Sequence, residues 1–335
     1  MQKWGVNIYL DAGKHISLDG RPHYYCGLLT LYNLSHTIRT NLGGEKDLRA
    51  AEDRFLEARK KLLDEGGGVV SIVYHPCEFV HEKFWDGVNF NKGANPPREE
   101  WKVPPQKTDE ASKVAYDTFE AYLRFIQRFP EVQFVTATDL AKVYRDPAKG
   151  RNFGRADVER IIDQVGAEVS FQRHEGFTLS AAEAFAVMNA AFCTHPAVRD
   201  FVVKLDASPL GPTGETVVMP ESVATDASQF LRTAADVQSY LRHHGRVPSI
   251  VWLGSKPVTP EAYFITLAKM LKLKLDSKPL PESIALAPAK LAVARHAFPD
   301  DPSLWGWVIF PPGFRAPLMM DLARKQTWTI KPAIN

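Results

Sequence analysis

The chain has 335 residues, enough for two domains that each bury a core of their own. Hydrophobic residues make up 45% and charged residues 24%, the balance of an ordinary globular protein rather than a disordered or fibrous one. The 41 basic and 39 acidic side chains are interspersed and leave a net charge of +2, so nucleic-acid binding is disfavoured and nothing draws the chain to an anionic membrane.

The opening residues, Met1 to Leu10, have neither the basic segment, the apolar run nor the cleavage site of a signal peptide. No apolar stretch approaches the roughly 20 residues that span a bilayer, so no transmembrane segment is expected. The chain starts directly on strand-like residues, which suggests a fragment whose upstream domain is missing. Cys26, Cys77 and Cys193 form no Cys-x-x-Cys pair, giving neither a zinc-ribbon pattern nor a disulfide framework. Three packed thiols are expected, with one disulfide left open.

Val6 to Leu10 reads as a short strand ended by Asp11-Ala12-Gly13. Within 15–34 the turn signal Asp19-Gly20-Arg21-Pro22 between apolar runs predicts a hairpin. Leu48, Ala51, Phe55, Ala58 and Leu62 share one face of a helix from Glu45 to Asp64, stopped by Gly66-Gly67-Gly68. The apolar run Val69 to Tyr74 then predicts a buried parallel strand. His75 to Thr108 is long, irregular and rich in aromatics, a type of loop that tends to be functional. A helix from Asp109 to Phe129, a strand over Val132–Val135 and a helix from Thr138 to Tyr144 follow. This alternation predicts a wound α/β sheet or barrel.

Arg145 to Arg151 has the punctuation of a linker. Beyond it, helices are predicted over 157–165, 180–192, 225–243 and 260–273. Ser180 with Glu183 forms a capping box, and Thr259 caps a helix that begins with Pro260. Residues 179–192 align without gaps to 258–271, either as an internal repeat or as two helices with similar caps. The Pro- and Trp-rich stretch 279–335 reads as a tail that packs back onto the body.

His75 is the most informative residue. It follows an apolar strand at the start of the long loop, where parallel α/β folds place ligands, and an imidazole there can act as general acid or base. Alternatively it merely caps the strand. The segment Ile72-Val73-Tyr74-His75, with the helix and glycines before it, resembles the last motif of polysaccharide deacetylases with NodB homology. The stretch from Asp109 to Tyr144, with Val132 to Leu140, resembles that family's closing helix, strand and helix. The resemblance covers about 1–146 and implies the C-terminal part of a distorted (β/α) barrel. It also implies hydrolysis of N-acetyl groups on a glycan or cell-wall polymer, with His75 as the general acid.

In the family an Asp-Asp pair on the first strand and a His-x-x-x-His pair on the second supply the base and the metal ligands; no Thr-Phe-Asp-Asp and no His-Ser/Thr-x-x-His occurs here, and only 71 residues precede the Ile72–His75 motif. The complete family domain holds a divalent metal such as zinc, whereas none is expected in this chain, and the chain alone is expected to be inactive. Asp11 is the candidate for the family's groove-forming aspartate, although the tryptophan partner is missing. His75, Glu78 and His81 could be gathered by a loop into a separate metal site, which would make the chain an enzyme of another class. The loop around Trp85, Asp86 and Asn89 suits a carbohydrate surface, because sugars present both apolar faces and hydroxyls. Its aromatics could equally plug the end of the barrel.

In the second region, 235–254 followed by Val258-Thr259-Pro260 resembles the pseudomurein-binding repeat. That resemblance makes Tyr240, Arg246 and Trp252 candidate contacts to a wall polymer, with Tyr240 and Trp252 as plain core residues the alternative. His243-His244 reads as a solvated helix end. The expected organisation is therefore an α/β barrel fragment over 1–146, a small, mainly helical α+β module over 150–278, and the tail. The family resemblance implies an extracellular or envelope location. A non-catalytic envelope protein that binds glycan polymer is the alternative to a deacetylase.

Overall fold

The computed structural model describes residues 4–9, 15–31, 36–194 and 201–334. Asp11 lies outside the described residues. Near the N-terminus, β1 (Ile8–Tyr9) runs parallel to β3 (Leu28–Thr30), which forms a hairpin with β2 (His23–Tyr25). The hairpin turns at Cys26-Gly27, both at positive φ (51° and 70°), the handedness that matches strand twist. Asp19-Gly20 makes a separate turn ahead of it, closed by the Arg21 N–H to the Leu18 carbonyl (3.0 Å), so the sequence signal marks the entry to the hairpin rather than its tip.

Next come β4 (Thr37–Ile38), α1 (Glu45–Asp64) and β5 (Ser71–Ile72), a strand–helix–strand unit in which β4 and β5 pair in parallel. A parallel pair needs a long crossover, and α1 supplies it. Its buried stripe of Ala51, Phe55 and Ala58 packs on Tyr122 and Ile126 of α4 (Asp109–Ile126). Between them lie the short helices α2 (Cys77–Val80) and α3 (Trp85–Asn89). The predicted strand over 69–74 shrinks to two residues, and Val132–Val135 forms no strand at all. Among the described residues the segment pairs with neither strand of the two-stranded β4–β5 sheet; α5 (Ala137–Val143) follows behind a Thr136–Asp139 capping box. Among the described residues the strands form one four-stranded and five two-stranded sheets and close no barrel. The fold is mixed α/β.

The second half is built from β6 (Asn152–Gly154), α6 (Arg155–Asp163), β7 (Gln172–His174), β8 (Phe177–Leu179), α7 (Ala181–Cys193) and β9 (Val202–Lys204). The same series then recurs as β10 (Val223–Asp226), α8 (Ala227–His244), β11 (Val251–Leu253), β12 (Lys256–Val258), α9 (Pro260–Leu275) and β13 (Ser283–Leu286). In each series the inner strands form a hairpin, β7 with β8 and β11 with β12, and the outer strands pair antiparallel, β6 with β9 and β10 with β13. Gln172 and Val251 open the two hairpins, Leu179 and Val258 close them, and Ser180 and Thr259 cap the helices that follow, all at one constant offset in sequence. The likeness of 179–192 to 258–271 is therefore part of a repeated βαββαβ unit. The pairing of β10 with β13 carries this module past residue 278 to Leu286. Nearly every residue of α7 is buried, as expected of a helix that is apolar all round and surrounded by others.

The tail is structural throughout. Trp328 meets the stacked pair Phe185 and Phe264 edge to face, with ring centroids 5.8 and 6.1 Å away. After α10 (Pro317–Gln326), β14 (Lys331–Pro332) adds a fourth strand beside β2. The Lys331 ammonium is buried against the carboxylates of Asp146 (2.7 Å) and Glu183 (2.8 Å), joining the tail, the linker and the start of α7. Glu183 also completes the Ser180 capping box and accepts a bond from the Ser208 hydroxyl.

Candidate functional site

A cleft of about 1140 Å³ opens where the carboxyl ends of β4 and β5 meet. Parallel strands deliver their following loops to the same end of the sheet, so the crevice beyond them is where such folds hold ligands. Residues 39–43 after β4 form one wall, and residues 77, 78 and 81–84 beyond β5 form the other. Arg39 is ion-paired with Glu78, and its guanidinium lies 5.3 Å from the centre of the Phe84 ring. Arg54 donates to the Arg39 carbonyl (3.1 Å), and the Lys107 ammonium donates to the Glu78 carbonyl (2.6 Å). The Thr40 hydroxyl meets the Tyr74 hydroxyl at 2.7 Å. The Arg39–Glu78 and Thr40–Tyr74 contacts tie the loop after β4 to the residues beyond β5. His81 lines the cleft with its Nδ1 buried and without a hydrogen-bond partner.

His75 is exposed three residues beyond β5. Its ring meets Phe84 edge to face at 5.2 Å, and Phe84 rather than His75 lines the cleft. The backbone carbonyl of His75 accepts from the Glu78 N–H (2.9 Å), which begins α2. This turn holds His75, Glu78 and His81 apart. Among the described residues no group of three or more His, Cys, Asp or Glu side chains is placed to hold a metal, and Glu78 is already committed to Arg39.

The loop beyond the cleft carries an aromatic cluster. Trp85 stands edge to face with Trp101 (4.9 Å) and Phe90 (5.1 Å), and both tryptophans remain 40% exposed. Asp86 accepts from the Trp307 indole, which brings a third exposed tryptophan from the tail to the same loop. The loop is pinned to the tail at Gly93, whose N–H donates to the Val308 carbonyl (3.1 Å). A side chain there would strike Pro311 within 3 Å, and its φ of 89° favours glycine. Asn89 is buried, not surface-presented. Its amide donates to the carbonyls of Trp85 (3.0 Å) and Lys102 (2.9 Å) and accepts from the Lys102 N–H (2.6 Å), so it holds its own loop together. Trp101 and Trp307 were missed in the sequence. Trp101 lies in the same irregular loop, but Trp307 is 221 positions from its partner Asp86, and no local pattern links them.

In the repeated module, Trp252 points outward from β11 and is 54% exposed. Its backbone carbonyl accepts from Thr233, two helical turns and about 10 Å along α8 from Tyr240. Tyr240 is half-buried, with its ring 4.3 Å from that of His244. Arg246 donates to the Thr213 hydroxyl (2.8 Å). The three candidate contacts are thus spread along the module, each with its own neighbours.

The class defined by these features is a mixed α/β protein with a strand-end cleft, an exposed aromatic loop and a duplicated βαββαβ module. No protein-family model, curated protein or solved structure matches the chain. No helix among the described residues is long and apolar enough to cross a membrane.

Proposed function

We propose that this chain is a polysaccharide-deacetylase-like, carbohydrate-active unit that holds a glycan or cell-wall polymer at the β4–β5 cleft. In this reading the β4–α1–β5 unit is the C-terminal part of a distorted (β/α) barrel, and an upstream segment supplies the base and the divalent metal. His75 would then protonate the leaving amine from the strand end. The observation that carries the reading is the conjunction of a strand-end cleft with exposed Trp85 and Trp101 beyond it, since apolar sugar faces stack on such rings. The chain by itself has no hydrolytic activity in this proposal, and an extracellular or envelope setting goes with it.

A non-catalytic polymer-binding role is the second reading, favoured by the tryptophans standing outside the cleft rather than inside it. Titrating the full chain with chitohexaose, followed by tryptophan fluorescence, tests both. Saturable quenching is expected, weakened about fivefold in Trp85→Ala, in line with the loss of one stacking contact of about 1 kcal/mol. No quenching at millimolar sugar refutes glycan binding. Zinc-dependent release of acetate from the sugar refutes the claim of inactivity.

A further inference from the structure

The repeated module contains two grooves whose helix-borne walls correspond, although residues 202–209 line only the first. One, of about 590 Å³, lies between α7 and α8; the other, of about 410 Å³, lies between α9 and α6. Ala186 and Ala190 of α7 line the first, and the residues at the corresponding positions of α9, Ile265 and Lys269, line the second. Leu241 and Gly245, in and just beyond the last turn of α8, correspond likewise to Ile162 in the last turn of α6 and Gly166 beyond it. Each groove thus forms between the second helix of one repeat and the first helix of the other. That reciprocity follows from duplication, and chance cavities have no reason to show it.

The two grooves share a type of chemistry, although the charged groups stand at non-corresponding positions, Arg242 falling in the repeat at the place of Asp163 and Lys269 at that of Ala190. Neither groove has an aromatic ring among its lining residues, so the flat face of a sugar has nothing to stack on. Both have aliphatic floors that suit an aliphatic side chain. Each holds one ion pair that is already closed, Lys204 with Asp206 (2.7 Å) in the first and Lys272 with Asp163 (3.1 Å) in the second. Each also holds one cation with no acidic partner among the described residues, Arg242 in the first and Lys269 in the second. An unpaired cation beside an aliphatic floor is complementary to a carboxylate next to an aliphatic side chain.

We infer that the module carries two equivalent docking grooves for acidic peptide segments, each seating an aliphatic side chain on its floor and a carboxylate on Arg242 or Lys269. The partner is a protein or peptide that presents such a motif twice, or two separate copies of it. No residue of the β4–β5 cleft takes part, so this inference stands or falls apart from the glycan reading.

Calorimetric titration of the full chain with the acetylated and amidated tetrapeptide Ala-Leu-Glu-Ala is the test, with Ala-Leu-Lys-Ala and chitotetraose as controls. Two sites are expected for the glutamate peptide, one in Arg242→Glu, one in Lys269→Glu and none in the double variant, with neither control binding. Arg242→Gln and Lys269→Gln, with the charge removed rather than reversed, stand in for any reversal that lowers the melting temperature. A single site, no binding at millimolar peptide, a site count unmoved by either substitution, or equal binding of the lysine peptide or the sugar overturns the inference.

Discussion

Replacing Lys331 by methionine removes the cation at the centre of the buried network while keeping its bulk. Lys331 and Glu183 are 2% and 0% exposed at the side chain and Asp146 is 13% exposed, so the substitution strands two carboxylates in the interior. Breaking one partner out of a buried ion pair costs about 3–5 kcal/mol. Glu183 keeps two other donors, the Ser180 N–H (2.8 Å) and the Ser208 hydroxyl, which places the expected loss near the lower end, about 3 kcal/mol. At about 2–4 °C per kcal/mol, the melting temperature falls by roughly 6–12 °C. Chemical denaturation of Lys331→Met, Glu183→Gln and the double variant measures the coupling directly. The double variant should lose at least about 1 kcal/mol less than the sum of the singles, because neutralising Glu183 removes the stranded charge. A Lys331→Met loss under about 1 kcal/mol, or strict additivity, refutes the view that this network holds β14 and the linker to the module.

Three further outcomes are expected. Trp328→Ala empties a buried site packed against Phe185 and Phe264 and should cost about 3–5 kcal/mol, read by urea unfolding; a smaller loss means that the tail does not complete the module's core. Burial, the leading cause, lowers the pKa of both His23 and His296 from 6.5, so below about pH 6.5 the unfolded chain binds more protons than the folded one. Stability should therefore fall as pH drops from about 6.5, and His23→Gln should flatten that slope, which pH-stepped thermal unfolding would reveal. Thr259→Ala and Ser180→Ala both remove a side-chain cap at corresponding helix starts. Thr259→Ala should cost about 1 kcal/mol, and Ser180→Ala more, because its box shares Glu183 with the buried network. Equal losses by thermal denaturation contradict that coupling.

The helices were legible because their causes are local. The apolar stripe of α1 and its glycine stop place it at Glu45–Asp64, and Thr259-Pro260 marks the start of α9, as the structure has them. The capping box at Ser180 was likewise visible from residues three apart. The strands were not legible in the same way. At two to four residues they are too short for a period of two to register, and whether a run becomes a strand depends on a distant edge: Val132–Val135 has none, whereas Lys331–Pro332 finds one at β2. The aligned helices hinted at the duplication, but only the matched strand pairings and the reciprocal grooves reveal the whole unit.

The candidate site divides along the same line. The position of His75 past an apolar run and the aromatic character of 84–91 could be read from composition and order alone. That Phe84 stands between His75 and the cleft, that Asn89 is consumed in holding its own loop, and that Trp307 reaches Asp86 across most of the chain were decided by tertiary packing. The physical reason is range. Helix caps, glycine stops and apolar stripes act over a few residues and so leave their mark in the sequence, whereas strand pairing, charge burial and the closing of a cleft depend on groups brought together only when the chain has folded.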